Sequence, residues 1–193
     1  MEQHKGIIKL NLPTILTLSR IVLIPVFLYV TVINNLAGLI VFCIAAITDT
    51  LDGYLARRWG DVTKFGIIMD PIADKILVIA ALILLVGEDY VSIWAAAIII
   101  SREFIITGLR VVALSKDIVI AAEMGGKLKT TTQMAAIIAL IVVLNPKYRW
   151  EVVGTFDLYD LGTLLLWISV VLSIISGVQY MVIFWRKISS QPQ

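Results

Sequence analysis

Residues 35–87 read NLAGLIVFCIAAITDTLDGYLARRWGDVTKFGIIMDPIADKILVIAALILLVG. Two largely apolar runs, residues 35–57 and 66–87, carry Asp49 and Asp52 and then Asp70 and Asp74, with a polar turn at Gly60-Asp61 between them. A membrane-crossing helix needs about 20 predominantly apolar residues. The stretch therefore reads as a helical hairpin whose spans cover residues 35–57 and 66–87. The pattern continues outward, with a span at 13–33 before the hairpin and spans at 91–114, 127–144 and 159–185 after it. Asn34-Asn35, Gly87-Glu88-Asp89, Ser115-Lys116-Asp117 and Asn145-Pro146 supply the turns between them.

Composition agrees with lipid as the solvent. The 193 residues are 60% hydrophobic and 16% charged, against about 45–50% and about 25% in soluble domains. Mean hydropathy is +0.96. The expected fold is an all-α integral membrane protein: one domain over residues 1–193, six transmembrane helices and a short juxtamembrane segment at 1–12. Residues 1–10 suit an amphipathic surface helix. The polar start Met1-Glu2-Gln3-His4-Lys5-Gly6 lacks the pattern of a cleavable signal. Pro25 and Pro71 are expected to kink or relax their helices. Residues Tyr148 to Asp160 read as an interfacial loop without catalytic content.

Several function classes are excluded. A single Cys43 and a single His4 leave no disulfide framework, no thiolate zinc site and no histidine-based triad. Sixteen basic against fourteen acidic residues give a net charge of +2, too balanced for a nucleic-acid binder. The basic residues are placed unevenly. Lys5, Lys9, Arg57, Arg58, Lys64, Lys116, Arg186 and Lys187, with Arg110, Lys127 and Lys129 at span ends, fall on the side that carries both termini. Only Lys147 and Arg149 fall on the other. Basic loops stay cytoplasmic, so the termini and the loop between the second and third spans are expected to face the cytoplasm, in a multi-pass protein of the cell (inner) membrane. Trp94, Trp150 and Trp185 lie near span ends, where indoles favour the interface.

The aspartates are what lipid excludes unless they work. Asp49 and Asp52 are three apart and Asp70 and Asp74 four apart, spacings that share a helix face. Clustered carboxylates repel one another and resist burial, so they must be protonated, paired with cations such as Arg57, Lys75 and Arg20, or bound to metal. An oxygen-only donor set favours Mg²⁺, Mn²⁺ or Ca²⁺ over zinc, and two such ions about 3.5–4 Å apart form a phosphoryl-transfer clamp. Gly53 and Ala56 beside Asp52 leave room for a nucleotide near the backbone, and Gly66 lets two helices approach. A divalent-cation transporter is an alternative on this chemistry alone. Arg102 and Glu103, inside the fourth span, read either as a buried pair with helix neighbours or as site residues. Lys75 reads as a snorkelling side chain.

The pattern Asp-x-x-Asp-Gly-x-x-Ala-Arg, eight residues, Gly-x-x-x-Asp-x-x-x-Asp resembles the signature of the CDP-alcohol phosphatidyltransferase family. All eight fixed positions match: Asp49, Asp52, Gly53, Ala56, Arg57, Gly66, Asp70 and Asp74. Asn11-Leu-Pro-Thr14-Ile-Leu-Thr17-Leu-Ser-Arg20, Ser101-Arg102-Glu103-Phe-Ile-Ile-Thr-Gly108-Leu-Arg110 and Gly126-Lys127-Leu-Lys129-Thr130-Thr-Thr-Gln133 are similar to segments of its bacterial phosphatidylglycerophosphate synthase branch.

The resemblance implies a homodimeric membrane enzyme that transfers the phosphatidyl group of CDP-diacylglycerol to sn-glycerol 3-phosphate, giving phosphatidylglycerophosphate and CMP. Inositol phosphate, serine or phosphatidylglycerol are the other acceptors such chemistry accommodates. It implies two ions, Mg²⁺ or Mn²⁺, on Asp49, Asp52, Asp70 and Asp74, with Asp74 also the general base. It implies contacts to CDP-diacylglycerol from Gly53, Arg57 and Thr63, with Thr14 a further candidate. An acceptor with about two negative charges needs concentrated positive charge beside four aspartates. Arg110, Lys127 and Lys129 are the residues expected to supply it.

Overall fold

The computed structural model describes residues 12–59, 64–115, 124–145, 151–153 and 156–189. Among them are six helices and one small hairpin: α1 (Leu12–Ile33), α2 (Asn35–Trp59), α3 (Lys64–Gly87), α4 (Ile93–Ser115), α5 (Met124–Val143), β1 (Glu151–Val153), β2 (Phe156–Asp157) and α6 (Leu158–Ser189). Each helix matches an expected span to within a few residues at either end. The amphipathic reading of residues 1–10 lies outside the described residues. The backbone divides into two compact units, Met1–Ala81 and Leu82–Gln193, with the boundary inside α3.

In the first unit, α1 and α2 pack side by side through a one-residue connection. Asn34 makes that possible. Its N–H donates to the Val30 carbonyl at 2.8 Å and ends α1. Its Oδ1 accepts from the N–H groups of Leu36 and Ala37 at 3.1 and 3.2 Å and so caps α2. Pro25 sits inside α1, which continues through it, although proline removes one rung of the hydrogen-bond ladder. The helices touch where Gly38 meets Thr31. A Cβ at position 38 would fall 2.6 Å from the Thr31 Cα, so only glycine fits. Thr31 is buried and its hydroxyl donates to the Phe27 carbonyl at 2.6 Å. The buried rings of Phe27 and Phe42 meet with centroids 5.5 Å apart.

In the second unit, α6 packs against both α4 and α5. Its buried residues are Gly162, Leu166, Ser169, Val170, Ser173, Ser176, Gly177 and Phe184, a stripe at helical spacing built mostly of small side chains. Opposite it, Leu164, Trp167, Val171, Ile174, Ile175, Val178 and Trp185 are exposed. A soluble domain buries such residues and exposes serine; here the order is reversed, as in helices that pack in lipid. A Cβ at Gly162 would fall 2.9 Å from the Leu140 Cγ, which marks the close approach of α5 and α6. Near the far end of α6, Phe184 packs on Ala113 of α4, with Leu109, Tyr180 and Ile188 around them. Among the described residues, α6 is the one helix long and apolar enough to cross a membrane. Ile21–Ile33, Asn35–Thr48, Lys75–Gly87 and Leu128–Val143 are shorter apolar helical stretches. Trp94 and Trp185 are 74% and 71% exposed, near the start of α4 and the end of α6.

The ends of these helices are chemically specified. α3 closes with Asp89 in the left-handed region at φ 60°. The Asp89 N–H donates to the Val86 carbonyl and the Tyr90 N–H to the Leu85 carbonyl, at 3.1 and 2.9 Å, the two bonds of a Schellman turn. Tyr90 then meets Tyr159 edge-on, ring centroids 5.7 Å apart. The segment read as an interfacial loop contains structure of its own. Glu151 pairs with Asp157 and Val153 with Phe156 in an antiparallel hairpin with an irregular register, and α6 starts at Leu158. Asp157 and Asp160 cap it reciprocally. The Asp160 N–H donates to Asp157 Oδ1 at 3.0 Å and the Asp157 N–H to Asp160 Oδ2 at 3.1 Å, a capping box made by two aspartates.

Three outcomes are expected. Gly38→Ala should lower stability by about 1–3 kcal/mol through overpacking against Thr31. Gly108→Ala should be neutral or mildly stabilising, because a Cβ there meets nothing within 4 Å and alanine favours the helix. Thermal unfolding of the purified proteins in one detergent compares them; a Gly38→Ala midpoint equal to that of the parent would contradict the close approach. Asp157→Ala should cost about 1 kcal/mol by removing the α6 cap, read in the same melting experiment.

Candidate functional site

The backbone places the signature on two consecutive helices. Asp49, Asp52, Gly53, Ala56 and Arg57 lie in α2, and Gly66, Asp70 and Asp74 in α3. Residues 49 and 52 are thus less than one turn apart on continuous helix, and 70 and 74 just over one turn. Thr14 lies in the first turn of α1. Thr63 lies outside the described residues, as do the side chains of Thr14, Asp49, Asp52, Gly53, Arg57, Asp70, Asp74 and Lys127. Among the described residues, no three His, Cys, Asp or Glu side chains group to hold a metal.

Three described ionisable side chains, Arg102, Glu103 and Lys129, meet at one place in the second unit. Arg102 and Glu103 are adjacent on α4, with side chains 16% and 13% exposed. Arg102 Nη1 donates to Glu103 Oε1 at 2.9 Å. Its Nε donates to the Ser173 carbonyl at 3.2 Å and its Nη2 to Ser176 Oγ at 2.9 Å, both on α6. The Lys129 ammonium, from α5, donates to the same Glu103 Oε1. One carboxylate oxygen therefore takes two cations, and one group of side chains joins three helices. The Ser176 hydroxyl also donates to the Ser173 carbonyl at 3.2 Å, and the Thr107 hydroxyl to the Glu103 carbonyl at 2.7 Å. Gly177 leaves room for the arginine stem, since a Cβ there would sit 3.3 Å from Arg102 Cγ.

The three residues expected to attract an acceptor phosphate are placed differently. Arg110 is exposed on α4. Lys127 lies in the first turn of α5, where Gly125 and Gly126 precede it. Lys129 is 4% exposed and paired with Glu103. Lys75, read as a snorkelling side chain, is half-buried on α3. Reading along the chain finds Arg102 and Glu103 as charges inside a span but not their partners, which lie 26 to 74 residues away. The available signal is the small-residue run Ser173, Ser176, Gly177 in the last span, which leaves space beside a long side chain.

Comparison with known proteins bears on the same segments. Residues 10–175 match the family model of the CDP-alcohol phosphatidyltransferases. A relative in Bacillus subtilis (strain 168), named CDP-diacylglycerol–glycerol-3-phosphate 3-phosphatidyltransferase, is 41% identical over 93% of this chain and 98% of its own. Relatives of the same name in Shigella flexneri serotype 5b (strain 8401) and Escherichia coli (strain K12) are 43% and 42% identical, each over 81% of this chain and 90% of their own. The match takes in the whole signature, from Asp49 to Asp74, together with the Arg102–Glu103–Lys129 group. The chain belongs to the CDP-alcohol phosphatidyltransferase family, whose members are membrane-integral and generally depend on a divalent metal.

Proposed function

We propose that this chain is a CDP-diacylglycerol–glycerol-3-phosphate 3-phosphatidyltransferase. It transfers the phosphatidyl group of CDP-diacylglycerol to sn-glycerol 3-phosphate and releases CMP. The observation that carries the reading is the complete signature on two successive helices, in a chain whose relatives at 41–43% identity bear that one enzyme name. It works as a homodimer in the cell (inner) membrane, with six transmembrane helices and the active site on the cytoplasmic side. Two features support the membrane arrangement: the apolar outer face and small-residue inner face of α6, and the basic residues gathered on one side of the six spans.

The donor chemistry suits a hard divalent cation. Four carboxylates, two on each helix, offer only oxygen ligands, and Asp49, Asp52, Asp70 and Asp74 are the residues that hold Mg²⁺ or Mn²⁺ as a pair. When bound, the ions offset the negative charge at the reacting phosphate and on the leaving group. Gly53, Arg57, Thr63 and Thr14 hold the CDP-diacylglycerol: the glycine allows close approach of the backbone, and the arginine grips phosphate through paired donors. Asp74 accepts the proton of the acceptor hydroxyl. The acceptor oxygen bonds to the lipid-linked phosphorus while the bond from that phosphorus to the CMP oxygen breaks. The sequence, with one His and one Cys, offers no nucleophile constellation, which favours direct transfer over a phosphatidyl-enzyme intermediate. Arg110 and Lys127 are the cations that draw the acceptor phosphate, with Lys129 close by on α5.

The reading is tested by CMP release from purified protein given CDP-diacylglycerol and sn-glycerol 3-phosphate, with serine, inositol phosphate and phosphatidylglycerol as competing acceptors. Asp74→Asn should lower turnover about a hundredfold or more and retain part of the donor binding. Asp49→Asn and Asp70→Asn should weaken donor binding and rate together. Near-parental CMP release from these variants at saturating Mg²⁺ would sink the assignment. The topology is tested separately. With Cys43 replaced, single cysteines at positions 61 and 148 meet a membrane-impermeant thiol reagent on intact cells. Only position 148 should react; labelling at position 61 would reverse the orientation or change the number of spans.

A further inference from the structure

We propose that Glu103 and Lys129 are positioning residues for the acceptor: together they fix the first turns of α5, and with them Lys127, instead of presenting Lys129 to the acceptor phosphate. The inference rests on the reading above, in which glycerol 3-phosphate is the acceptor and Arg110 and Lys127 meet its phosphate.

Lys129 is 4% exposed, and its ammonium lies on Glu103 Oε1. An acceptor phosphate entering from water would have to reach a buried group and compete with a carboxylate already in contact. That carboxylate is itself fixed. Arg102 Nη1 holds the same oxygen at 2.9 Å, and Arg102 is anchored to α6 by the Ser173 carbonyl and Ser176 Oγ. A chain of charged hydrogen bonds thus runs from α6 through α4 to α5 and ends on Lys129. The start of α5 needs such a fixture. It reads Met124-Gly125-Gly126-Lys127, and two glycines in the first turn leave that backbone with more conformational freedom to lose than other residues would. Lys127 stands two residues before Lys129, about 3 Å along the axis, so a helix held at 129 holds the backbone at 127.

A direct phosphate contact from Lys129 and a positioning role make opposite predictions for Glu103→Gln. If Lys129 were a phosphate ligand, removing the competing carboxylate would free its ammonium, and the Michaelis constant for glycerol 3-phosphate would fall or stay. If the pair positions α5, the constant rises.

The experiment uses the full-length purified protein in mixed micelles containing CDP-diacylglycerol, with both substrates varied. For Glu103→Gln and for Lys129→Met, the constant for glycerol 3-phosphate should rise about tenfold, the scale of one lost charged hydrogen bond. The constant for CDP-diacylglycerol should not change. The double variant should be no worse than either single one, because both act through one tie. A constant for glycerol 3-phosphate that falls or stays in Glu103→Gln overturns the proposal. So does an equal rise in both constants, which marks general structural damage, and so do losses that add in the double variant. Should Glu103→Gln fail to fold, Glu103→Asp retains the charge with one methylene less; a smaller rise is expected there, and an unchanged constant overturns the proposal. The parent enzyme is assayed alongside. If it releases no CMP with glycerol 3-phosphate, the acceptor reading falls and this inference with it, whereas turnover that is indifferent to position 103 removes this inference alone.

Discussion

Lipid gives a helix no reward for turning its apolar face inward, because the tails outside are as apolar as the leucines within. Helices in such a solvent are held by close contact between small residues and by polar groups that find one another. The described part of this chain follows that constraint throughout. Gly38 meets the backbone of Thr31, Gly162 meets Leu140, and α6 buries Ser169, Ser173 and Ser176 while it exposes Trp167, Val171 and Ile175. Large side chains contribute where they interlock, as Phe27 does on Phe42 and Phe184 on Ala113.

Close packing of small residues is tolerant of sliding, and the polar group at Arg102 is not. Arg102 meets Ser173 and Ser176 of α6, while Ala113, eleven residues on, meets Phe184. α4 and α6 therefore run in the same direction. Lys129 joins the group from α5, and Leu140 lies against Gly162, so α5 runs against α6. A slide of one turn, about 5.4 Å, would separate Glu103 from Lys129 and leave charges buried without their partners. Breaking a buried pair costs far more than the pair contributes when intact. The group therefore acts on register more than on net stability.

Local chemistry was the legible part of the fold. Apolar runs of membrane length, with Asn34 between the first two, located α1 and α2; Gly87-Glu88-Asp89 marked the end of α3. The starts and ends shifted by a few residues because caps decide them: the Asp157–Asp160 box begins α6 at Leu158, inside a segment that read as loop. The hairpin of Glu151–Val153 with Phe156–Asp157 was not legible, since strands of three and two residues carry no periodicity. For the signature aspartates, spacings of three and four encode one helix face, and the structure places all four residues on helices. The partners of Arg102 and Glu103 were not legible, because no local pattern links positions 26 to 74 residues apart. The burial of Lys129 was illegible for the same reason. Its sequence neighbours Lys127 and Thr130 read as the rim of a span, and only the arrival of α4 beside it makes it interior.

Lys129 also shows what a carboxylate does to a cation beside it in such a solvent. The proposed reaction calls for anions that would hold metal and cations that would hold an acceptor phosphate. In a medium of low dielectric, any cation within reach of a carboxylate is drawn onto it. Glu103 meets both Arg102 and Lys129 in this way. The four aspartates stand on α2 and α3, and Arg110 and Lys127 on α4 and α5. Their helical neighbours one turn away are largely apolar or small: Ile106 before Arg110, and Thr130 and Thr131 after Lys127. A lysine one turn from an aspartate would form an intrahelical pair and neutralise both roles at once. Among the described cations of α4 and α5, Glu103 is the carboxylate they meet, and it ties α4 to α5.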